Sequence, residues 1–188
     1  MRRISLFMHI TLDGFICGPG GELDDLEPSL EEHEFANEQF AAADGVLFGR
    51  RIYEGFVEYW DALDTADPAL GAIERRFATI FQGMTRTVVS RTLTTVDGRA
   101  TLIRDDLVGR VRAIKEQPGG DLVLVCGPEL LAALAGAGMV DEYVLLVHPL
   151  ALGTGVALFG QLGQTLRLEL AETRTFPSGT VLHRLRPR

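Results

Sequence analysis

Hydrophobic and polar positions divide the chain into short apolar runs and longer stretches with helical spacing. In the clearest example, Leu122–Val125 is apolar at every position, and the run stops at Gly127 before a segment rich in leucine and alanine that starts at Pro128. A fully apolar run is typical of a strand covered on both faces, and proline suits the first position of a helix. This stretch therefore predicts a strand, a tight turn and a helix, and the rest of the chain is organised around it.

The same alternation of strand and helix recurs before this stretch, and the pattern changes after it. Strands are predicted at residues 4–12, 46–48, 87–90, 100–103 and 141–149. Helices are predicted at residues 28–43, 50–60, 67–81 and 105–116, where Ser29 with Glu32 and Asp67 with Pro68 mark two of the starts. Residues 166–175 and 180–185 alternate on either side of a Pro-Ser-Gly turn, as in an antiparallel hairpin. We predict an α/β protein with a sheet of mixed direction.

Residues 18–27 combine a Gly-Pro-Gly-Gly stretch with several acids, so no regular element is expected there. A mobile lid and a plain surface loop fit this composition equally well. Asp13, Asp24 and Asp25 border or lie in this loop and are candidates to donate or relay a proton, although such acids more often cap turns. We take Asp24 as the catalytic candidate and Asp13 as a substrate contact.

Composition restricts the classes of function. The 188 residues fit one domain spanning 1–188, and hydrophobic residues make up 46%. Eighteen basic and 26 acidic residues give a net charge of −8, which argues against nonspecific binding to nucleic acid or to anionic membranes. Cys17 and Cys126 have no CxxC or Cys/His spacing for zinc, so we expect no metal site and a reducing, cytoplasmic location. No signal peptide or membrane-spanning run is predicted.

Three predicted strands end in small residues, and two of these ends add arginine. The ends are at Phe48-Gly-Arg-Arg, Val89-Ser-Arg-Thr and Val125-Cys-Gly. Guanidinium groups match phosphate oxygens, and helix starts supply N–H donors with partial positive charge. In an acidic chain, this pattern indicates an anion such as a phosphate, although Arg50 and Arg51 taken singly are more typical of surface or salt-bridge residues.

Other motifs narrow the chemistry further. GxSxG, GxGxxG and GxxxxGK[ST] are all absent, which disfavours hydrolase and kinase functions. The four histidines are scattered, and each is interpreted as a packed or surface residue. Tyr53, Tyr59 and Trp60 fit one wall of a pocket for a planar substrate, and their helical spacing fits a place in the core even better.

An ordered set of sequence blocks resembles the dihydrofolate-reductase-like family that includes the reductase domain of bacterial riboflavin biosynthesis. The blocks are Ile4-Ser-Leu-Phe-Met-His-Ile-Thr-Leu-Asp-Gly-Phe-Ile, Phe48-Gly-Arg-Arg-Ile-Tyr-Glu, Val89-Ser-Arg-Thr-Leu, Leu124-Val-Cys-Gly, Met139-Val-Asp-Glu-Tyr and Pro149-Leu-Ala-Leu-Gly-Thr-Gly. The resemblance implies a dihydrofolate-reductase-like mixed sheet flanked by helices. It also implies a reductase that uses NADPH.

The resemblance also implies roles for individual residues. It places Thr11 and Leu12 beside the nicotinamide of the cofactor, and Gly49, Arg50, Arg51 and Ile52 near its phosphates. It places Ser90, Arg91 and Thr92 facing the adenosine 2′-phosphate. The pyrophosphate contacts that it implies are Cys126, Gly127, Pro128, Glu129 and Leu130. It places substrate contacts at Gly153, Thr154 and Gly155, to which the aromatic pattern adds Tyr53 and Trp60. Ile52 and Pro128 depart from the family's usual residues, which predicts weaker cofactor binding.

Two functions follow as hypotheses. The first is an NADPH-dependent reductase acting on a small pterin-like, pyrimidine-like or carbonyl substrate. The alternative is a nucleotide-binding protein of the same fold without turnover. No HxE with PCxxC occurs, so the zinc deaminase partner of the riboflavin enzyme is not expected in this chain. The resemblance and the long apolar strand at residues 143–147, which needs cover, predict a homodimer.

Overall fold

A computed structural model describes residues 1–22 and 26–188 of the chain. The chain forms two compact units, the first from residues 1–2 and 28–125 and the second from residues 3–27 and 126–188. The single domain expected over residues 1–188 stays a prediction. The helices are α1 (Leu30–Ala41), α2 (Arg50–Trp60), α3 (Ala72–Gly83), α4 (Leu107–Glu116) and α5 (Pro128–Gly136). The strands are β1 (Ile4–Thr11), β2 (Gly45–Gly49), β3 (Thr85–Val89), β4 (Ala100–Ile103), β5 (Leu122–Val125), β6 (Glu142–His148), β7 (Leu168–Thr175) and β8 (Val181–Pro187).

The first unit contains four parallel strands in the order β4-β3-β2-β5, together with helices α1 to α4. Gly49 at the end of β2 lies in register with Val89 at the end of β3, and Phe48 lies in register with Val125. Since parallel strands end at the same edge, the turns that follow β2 and β3 lie side by side. This register places the two arginine-bearing turns together.

Aromatic side chains fill the core of the first unit. Phe48 on β2 contacts Phe56 on α2 with ring centroids 5.2 Å apart, and Phe56 lies 5.6 Å from Phe81 on α3. Trp60 packs 4.5 Å from Phe77. These rings bury large apolar areas and fix α2 and α3 against the strands that lead to the turns.

The second unit combines parallel and antiparallel pairing. β1 pairs in parallel with β6, where Thr11 is opposite His148, and β6, β8 and β7 follow as antiparallel neighbours. At the hairpin turn, Phe176 N–H donates to the carbonyl of Thr180 at 2.8 Å and Gly179 has a φ of 91°. The predicted mixed α/β class and the C-terminal antiparallel hairpin are both confirmed.

The helix starts show where local signals succeed and where they fail. Ser29 is the N-cap of α1 as predicted, and its hydroxyl donates to the buried carboxylate of Glu32 at 3.0 Å. The predicted start at Asp67 and Pro68 is wrong, because α3 begins at Ala72. Asp67 instead caps a turn by accepting from the N–H of Ala69 at 2.9 Å. An aspartate before a proline suits such a turn as well as a helix start.

Strand β6, whose apolar residues were one reason to predict a homodimer, is already covered within the single chain. Tyr143 and Leu146 are fully buried within the single chain, so β6 needs no partner subunit for cover and that reason for a homodimer is wrong. β7 is the exposed strand, because seven of its eight residues are exposed and Leu170 is 56% accessible.

The helices of this chain are short. α1 and α3 have 12 residues each, which corresponds to about 18 Å of helix. Across residues 1–22 and 26–188, no helix combines the length and the apolar character needed to cross a membrane.

Candidate functional site

The start of α2 offers unused backbone donors. Gly49 is the N-cap with φ −78° and ψ 152°, and no side chain accepts a hydrogen bond from the first turn. The first turn also contains no acidic residue. The N–H groups at this helix start therefore remain available to an external anion.

The two arginines at this helix start behave differently. Arg50 forms an exposed i,i+4 pair with Glu54, with Nη1 3.3 Å from Oε2. Arg51 is exposed and has no ion pair or side-chain hydrogen bond within the described part of the chain. Ile52 has no polar side-chain atom to offer. Arg51 is therefore the cation at this start that stays open to a ligand.

The turn after β3 is shaped by Ser90. Its buried hydroxyl accepts hydrogen bonds from the N–H groups of Thr92 at 3.2 Å and Leu93 at 3.0 Å. Arg91 and Thr92 point outward as exposed residues, and Arg91 forms no ion pair with any residue that the structure describes. Ser90 therefore organises the turn, and Arg91 carries its open positive charge.

A buried arginine anchors the same region from below the turn. Arg86 on β3 is completely buried at its side chain, and its fork binds both carboxylate oxygens of Asp61 at 2.6 and 2.7 Å. Its guanidinium carbon lies 4.1 Å from the centroid of the Phe81 ring. A bidentate pair with an aromatic face beneath it is a favourable environment for buried arginine.

Asp97 in the β3–β4 loop joins this cluster. One carboxylate oxygen lies 3.6 Å from Nη1 of Arg86, and the hydroxyl of Tyr53 donates to the same carboxylate. Partial burial opposes ionisation of Asp97, yet the hydrogen bonds from Tyr53 and from the Arg99 N–H, with the charge of Arg86, hold its pKa below 3.8. Burial and the Asp97 carboxylate raise the pKa of Tyr53, so the phenol stays protonated. We call Arg86, Asp61, Asp97 and Tyr53 the ionic cluster.

The aromatic residues predicted for a substrate wall are occupied with packing. Tyr53 is 6% accessible and directs its hydroxyl to Asp97, while Trp60 packs against Phe77 and Tyr59. These contacts match the core placement that the helical spacing favoured. A direct substrate contact by either residue stays a prediction.

In the second unit, Asp13 ties two loops together. Its carboxylate accepts hydrogen bonds from the Thr11 hydroxyl at 2.5 Å, from Gly153 N–H at 2.7 Å and from Leu152 N–H at 3.2 Å. The Thr11 hydrogen bond, helped by these backbone donors, lowers the pKa of Asp13 below 3.8. Asp13 is therefore a carboxylate at neutral pH and connects the loop after β1 to the loop after β6.

Residues 153–155 lie close to residues 15–17. A Cβ on Gly155 would lie 2.3 Å from the backbone oxygen of Cys17, so only glycine allows this approach. Thr154 is exposed beside it, and Leu12 is 71% accessible despite its apolar side chain. The structure thus brings Leu12, Asp13 and residues 153–155 into one region of the second unit, with Thr11 fully buried beneath Asp13.

The start of α5 resembles that of α2 in lacking a side-chain cap. Gly127 is the N-cap, Pro128 occupies the first turn and Glu129 is its acidic residue. Leu130 is buried, and burial raises the pKa of the Cys126 thiol strongly. Cys126 is accordingly a packed thiol, because a neutral buried thiol is a poor nucleophile.

Two histidines form a pair that sequence patterns do not single out. Nδ1 of His9 lies 2.8 Å from Nε2 of His148, and Nδ1 of His148 lies 3.4 Å from the Thr180 hydroxyl. His148 is buried, in agreement with its interpretation as a packed residue. The partners are 139 residues apart in the chain, so only the parallel pairing of β1 with β6 brings them together.

Sequence reasoning named two candidate acids that lie outside the described residues, Asp24 and Asp25, and overlooked three charged residues that the structure does describe. Of the two acids, Asp24 is the catalytic candidate. Arg86, Asp61 and Asp97 were not singled out. The sequence contains one signal for Arg86. It stands two residues before Val88, so on a strand the two side chains point to the same face, and both are buried in β3.

Two proteins of Bacillus subtilis (strain 168) are similar to this chain over nearly its whole length. The uncharacterized protein YyaP is 34% identical over 182 residues, which cover 96% of this chain and 92% of YyaP. The uncharacterized protein YwjB is 25% identical over 186 residues, which cover 98% of each chain.

Solved structures share the fold. A putative riboflavin biosynthesis protein from Shewanella sp. PV-4 has a TM-score of 0.76 at 20% identity, with 99% of each chain covered. A pyrimidine reductase-like protein from Corynebacterium diphtheriae has a TM-score of 0.69 at 12% identity and covers all of this chain. A bifunctional deaminase and 5-amino-6-(5-phosphoribosylamino)uracil reductase from Thermotoga maritima has a TM-score of 0.70 at 14% identity, and this chain spans 57% of it.

The family itself is shown by a match along the chain. The model of the RibD C-terminal domain matches residues 2–182. This range contains every sequence block on which the resemblance rested, from β1 to the loop after β6. The chain therefore belongs to the RibD C-terminal domain family.

Proposed function

We propose that this protein is an NADPH-dependent reductase that acts on a small heterocyclic, pyrimidine-like substrate. Membership of the RibD C-terminal family supports a reductase, and two of the similar structures are named for pyrimidine or uracil reductases. The observation that carries the cofactor assignment is the open guanidinium of Arg91, held on a turn shaped by Ser90. A carbonyl substrate is the other class that the same cofactor serves.

We assign the 2′-phosphate of NADPH to the turn after β3. This phosphate adds nearly two negative charges. Arg91 provides a guanidinium without an ion pair in the described ranges, and Thr92 provides an exposed hydroxyl that lies 3.3 Å from the Ser90 hydroxyl. Arg51 and the uncapped start of α2 lie at the neighbouring strand end and suit the remaining adenosine phosphate groups. When bound, the nicotinamide supplies the hydride, and the protein supplies binding and orientation.

The residues that the family resemblance assigns to the nicotinamide and the substrate belong to the second unit. Thr11 is fixed by Asp13, and the exposed side chain of Leu12 presents an apolar surface suited to a planar ring. Thr154 offers an exposed hydroxyl next to Gly155. The N–H groups at the start of α5 are assigned to the pyrophosphate, with Pro128 unable to donate.

Titration of NADPH and NADH into the wild type and Arg91→Ala tests the cofactor assignment. A charge-assisted contact contributes about 1.5–3 kcal/mol, so Arg91→Ala should weaken NADPH binding by about tenfold to a hundredfold and leave NADH nearly unchanged. Arg112→Ala is the matched control, because Arg112 is an exposed residue of α4 that makes no ion pair in the described ranges.

The same titration can reject the assignment. Equal affinity of the wild type for NADPH and NADH would remove the 2′-phosphate site. If Arg91→Ala binds both cofactors as tightly as the wild type does, the 2′-phosphate does not bind at the turn after β3.

A nucleotide-binding protein without turnover is the second candidate, and the state of Asp13 favours it. Asp13 accepts three hydrogen bonds and its pKa is lowered, so this carboxylate is not poised to give a proton to a substrate. NADPH oxidation measured against a panel of pyrimidine, pterin and carbonyl compounds distinguishes the candidates. Stoichiometric binding of NADPH with no oxidation across the panel would favour the binding protein.

Two further parts of the proposal rest on the family resemblance and on composition. We propose a homodimer, for which the exposed side chains of β7, rather than its backbone edge, offer a packing surface. We also propose a cytoplasmic location, which suits two cysteines that form no disulfide.

A further inference from the structure

The ionic cluster links three elements of the first unit that are separate in sequence. Tyr53 belongs to α2, Arg86 to β3 and Asp97 to the loop at residues 90–99, while Asp61 ends α2. We propose that Tyr53 and Asp97 are positioning residues that set the preference for a 2′-phosphorylated cofactor by holding residues 90–99 in one shape. This inference rests on the proposed function of the turn after β3.

Asp97 is the fixed point of the loop. Its carboxylate accepts from the Tyr53 hydroxyl and from the N–H of Arg99 at 2.7 Å, and its own N–H donates to the Tyr53 oxygen at 3.3 Å. Its carbonyl accepts from Ala100 N–H at 3.1 Å, directly at the start of β4. Hydrogen bonds between Asp97 and the Tyr53 hydroxyl therefore fix the C-terminal end of the loop.

The near end of the loop is pinned separately by the Ser90 turn. Arg91 and Thr92 lie within this turn, ahead of the end that Asp97 holds, and both have exposed side chains. Because both ends of the segment are fixed, the guanidinium is displayed from a backbone that is already ordered. An ordered backbone reduces the conformational entropy that ligand binding would otherwise cost.

Arg86 gives the anchor its charge. Its fork is committed to Asp61, and its Nη1 also lies 3.6 Å from the Asp97 carboxylate. The buried cation favours the ionised form of Asp97, and an ionised carboxylate is the stronger acceptor for the Tyr53 hydroxyl. The anchor thus depends on a hydrogen bond whose donor and acceptor are both kept in the required protonation state at neutral pH.

α2 couples this anchor to the other phosphate-facing turn. Tyr53 lies two residues after Arg51 on the same helix, and Gly49 caps that helix at the end of β2. Holding Asp97 to Tyr53 therefore fixes the loop that displays Arg91 relative to the helix that displays Arg51. Two guanidinium groups on separate elements gain a defined spacing, which suits one nucleotide bearing more than one phosphate.

The test compares two tyrosine-to-phenylalanine substitutions on α2. Tyr53→Phe removes the hydroxyl that binds Asp97, while Tyr59→Phe removes a hydroxyl that binds Glu74 on α3 and leaves the loop untouched. Two quantities are measured for each: the ratio of the dissociation constants for NADH and NADPH, and amide exchange of residues 90–99 without ligand. Tyr53→Phe should lower the preference for NADPH by about threefold to tenfold and speed exchange in this segment.

A purely structural role predicts a different result, since a general loss of stability would weaken both cofactors equally. Tyr59→Phe should keep the wild-type ratio and the wild-type exchange. If the wild type prefers NADPH and Arg91→Ala loses that preference while Tyr53→Phe keeps it, the positioning role is overturned and the proposed function stands. If the wild type shows no preference for NADPH, the proposed 2′-phosphate site and this inference fall together.

Discussion

The loop at residues 90–99 and the two contacting loops of the second unit, after β1 and after β6, are held by different kinds of hydrogen bond. In the first, side chains from α2 and β3 hold the backbone, through Tyr53, Arg86 and Asp97. In the second, backbone groups bind each other directly, and one side chain adds to them. Leu12 N–H donates to the Leu150 carbonyl at 2.8 Å and Ile16 N–H to the Val156 carbonyl at 2.9 Å, while the Asp13 carboxylate accepts from two backbone N–H groups.

This difference determines which substitutions each region tolerates. A loop held by backbone hydrogen bonds accepts many side chains but requires glycine where two backbones approach, as at Gly155. A loop held by charged side chains around a buried guanidinium requires those particular residues, because a missing member leaves a charge in a partly buried site without its partner. The first region should therefore be the more sensitive to loss of a side chain, and the second to gain of one.

Arg86→Ala should produce the largest effect. Removing a fully buried guanidinium leaves Asp61 and Asp97 without their cation, and breaking such a buried pair costs about 3–5 kcal/mol of unfolding free energy. Urea unfolding measures the loss, with Arg112→Ala as a surface control expected within about 0.5 kcal/mol of the wild type. A loss as small as that of the control would show that the cluster does not stabilise the first unit.

Gly155→Ala should break the second region to a smaller extent. The added Cβ would meet the Cys17 backbone oxygen at 2.3 Å and the Phe15 ring at 3.2 Å, and such overpacking costs about 1–3 kcal/mol. Gly163→Ala is the matched control, because its Cβ would have no heavy atom within 4 Å. Equal urea midpoints for the two variants would contradict the close approach at Gly155.

The smallest expected effect is a loss of stability at acid pH, caused by protonation of Asp97 in the first region. Its pKa is lower in the folded protein than the ordinary value of 3.8, so the unfolded chain binds this proton more readily. The stabilisation by Asp97 is therefore fully present above pH 3.8 and is lost as the pH falls through the lower folded-state pKa. Asp97→Asn should flatten this part of the stability profile, measured as urea midpoints at successive acid pH values. A profile as steep as that of the wild type would assign the acid sensitivity to other carboxylates.

Much of the fold was predictable because its signals are local. The predicted bounds of β4 and β5 agree with the structure, and Ser29 caps α1 as its sequence pattern indicates. Apolar runs and caps act over a few residues, so a pattern of that length contains the information. The start of α3 was missed because its local signals mislead. Asp67 and Pro68 form a turn that resembles a helix start, and no side chain among the described residues caps the true start at Ala72.

The arrangement of the site was less predictable because it depends on distant pairs. Asp97 meets Tyr53 across 44 positions, and Asp13 meets Gly153 across 140. Arginines at strand ends could be recognised from the sequence, but whether each guanidinium pairs with a carboxylate of the chain could not. Arg50 and Arg91 look alike in sequence, and only the structure shows that Arg50 pairs with Glu54.

The composition of β7 bears on how the protein behaves at high concentration. This exposed strand hydrogen-bonds to β8, and regular pairing between the two is interrupted at Leu170 and Glu172. Its exposed residues include Glu169, Glu172 and Arg174. A charged, irregular strand is a poor template for the addition of another chain's strand, so β7 opposes fibrillar aggregation even though it presents Leu170 to water.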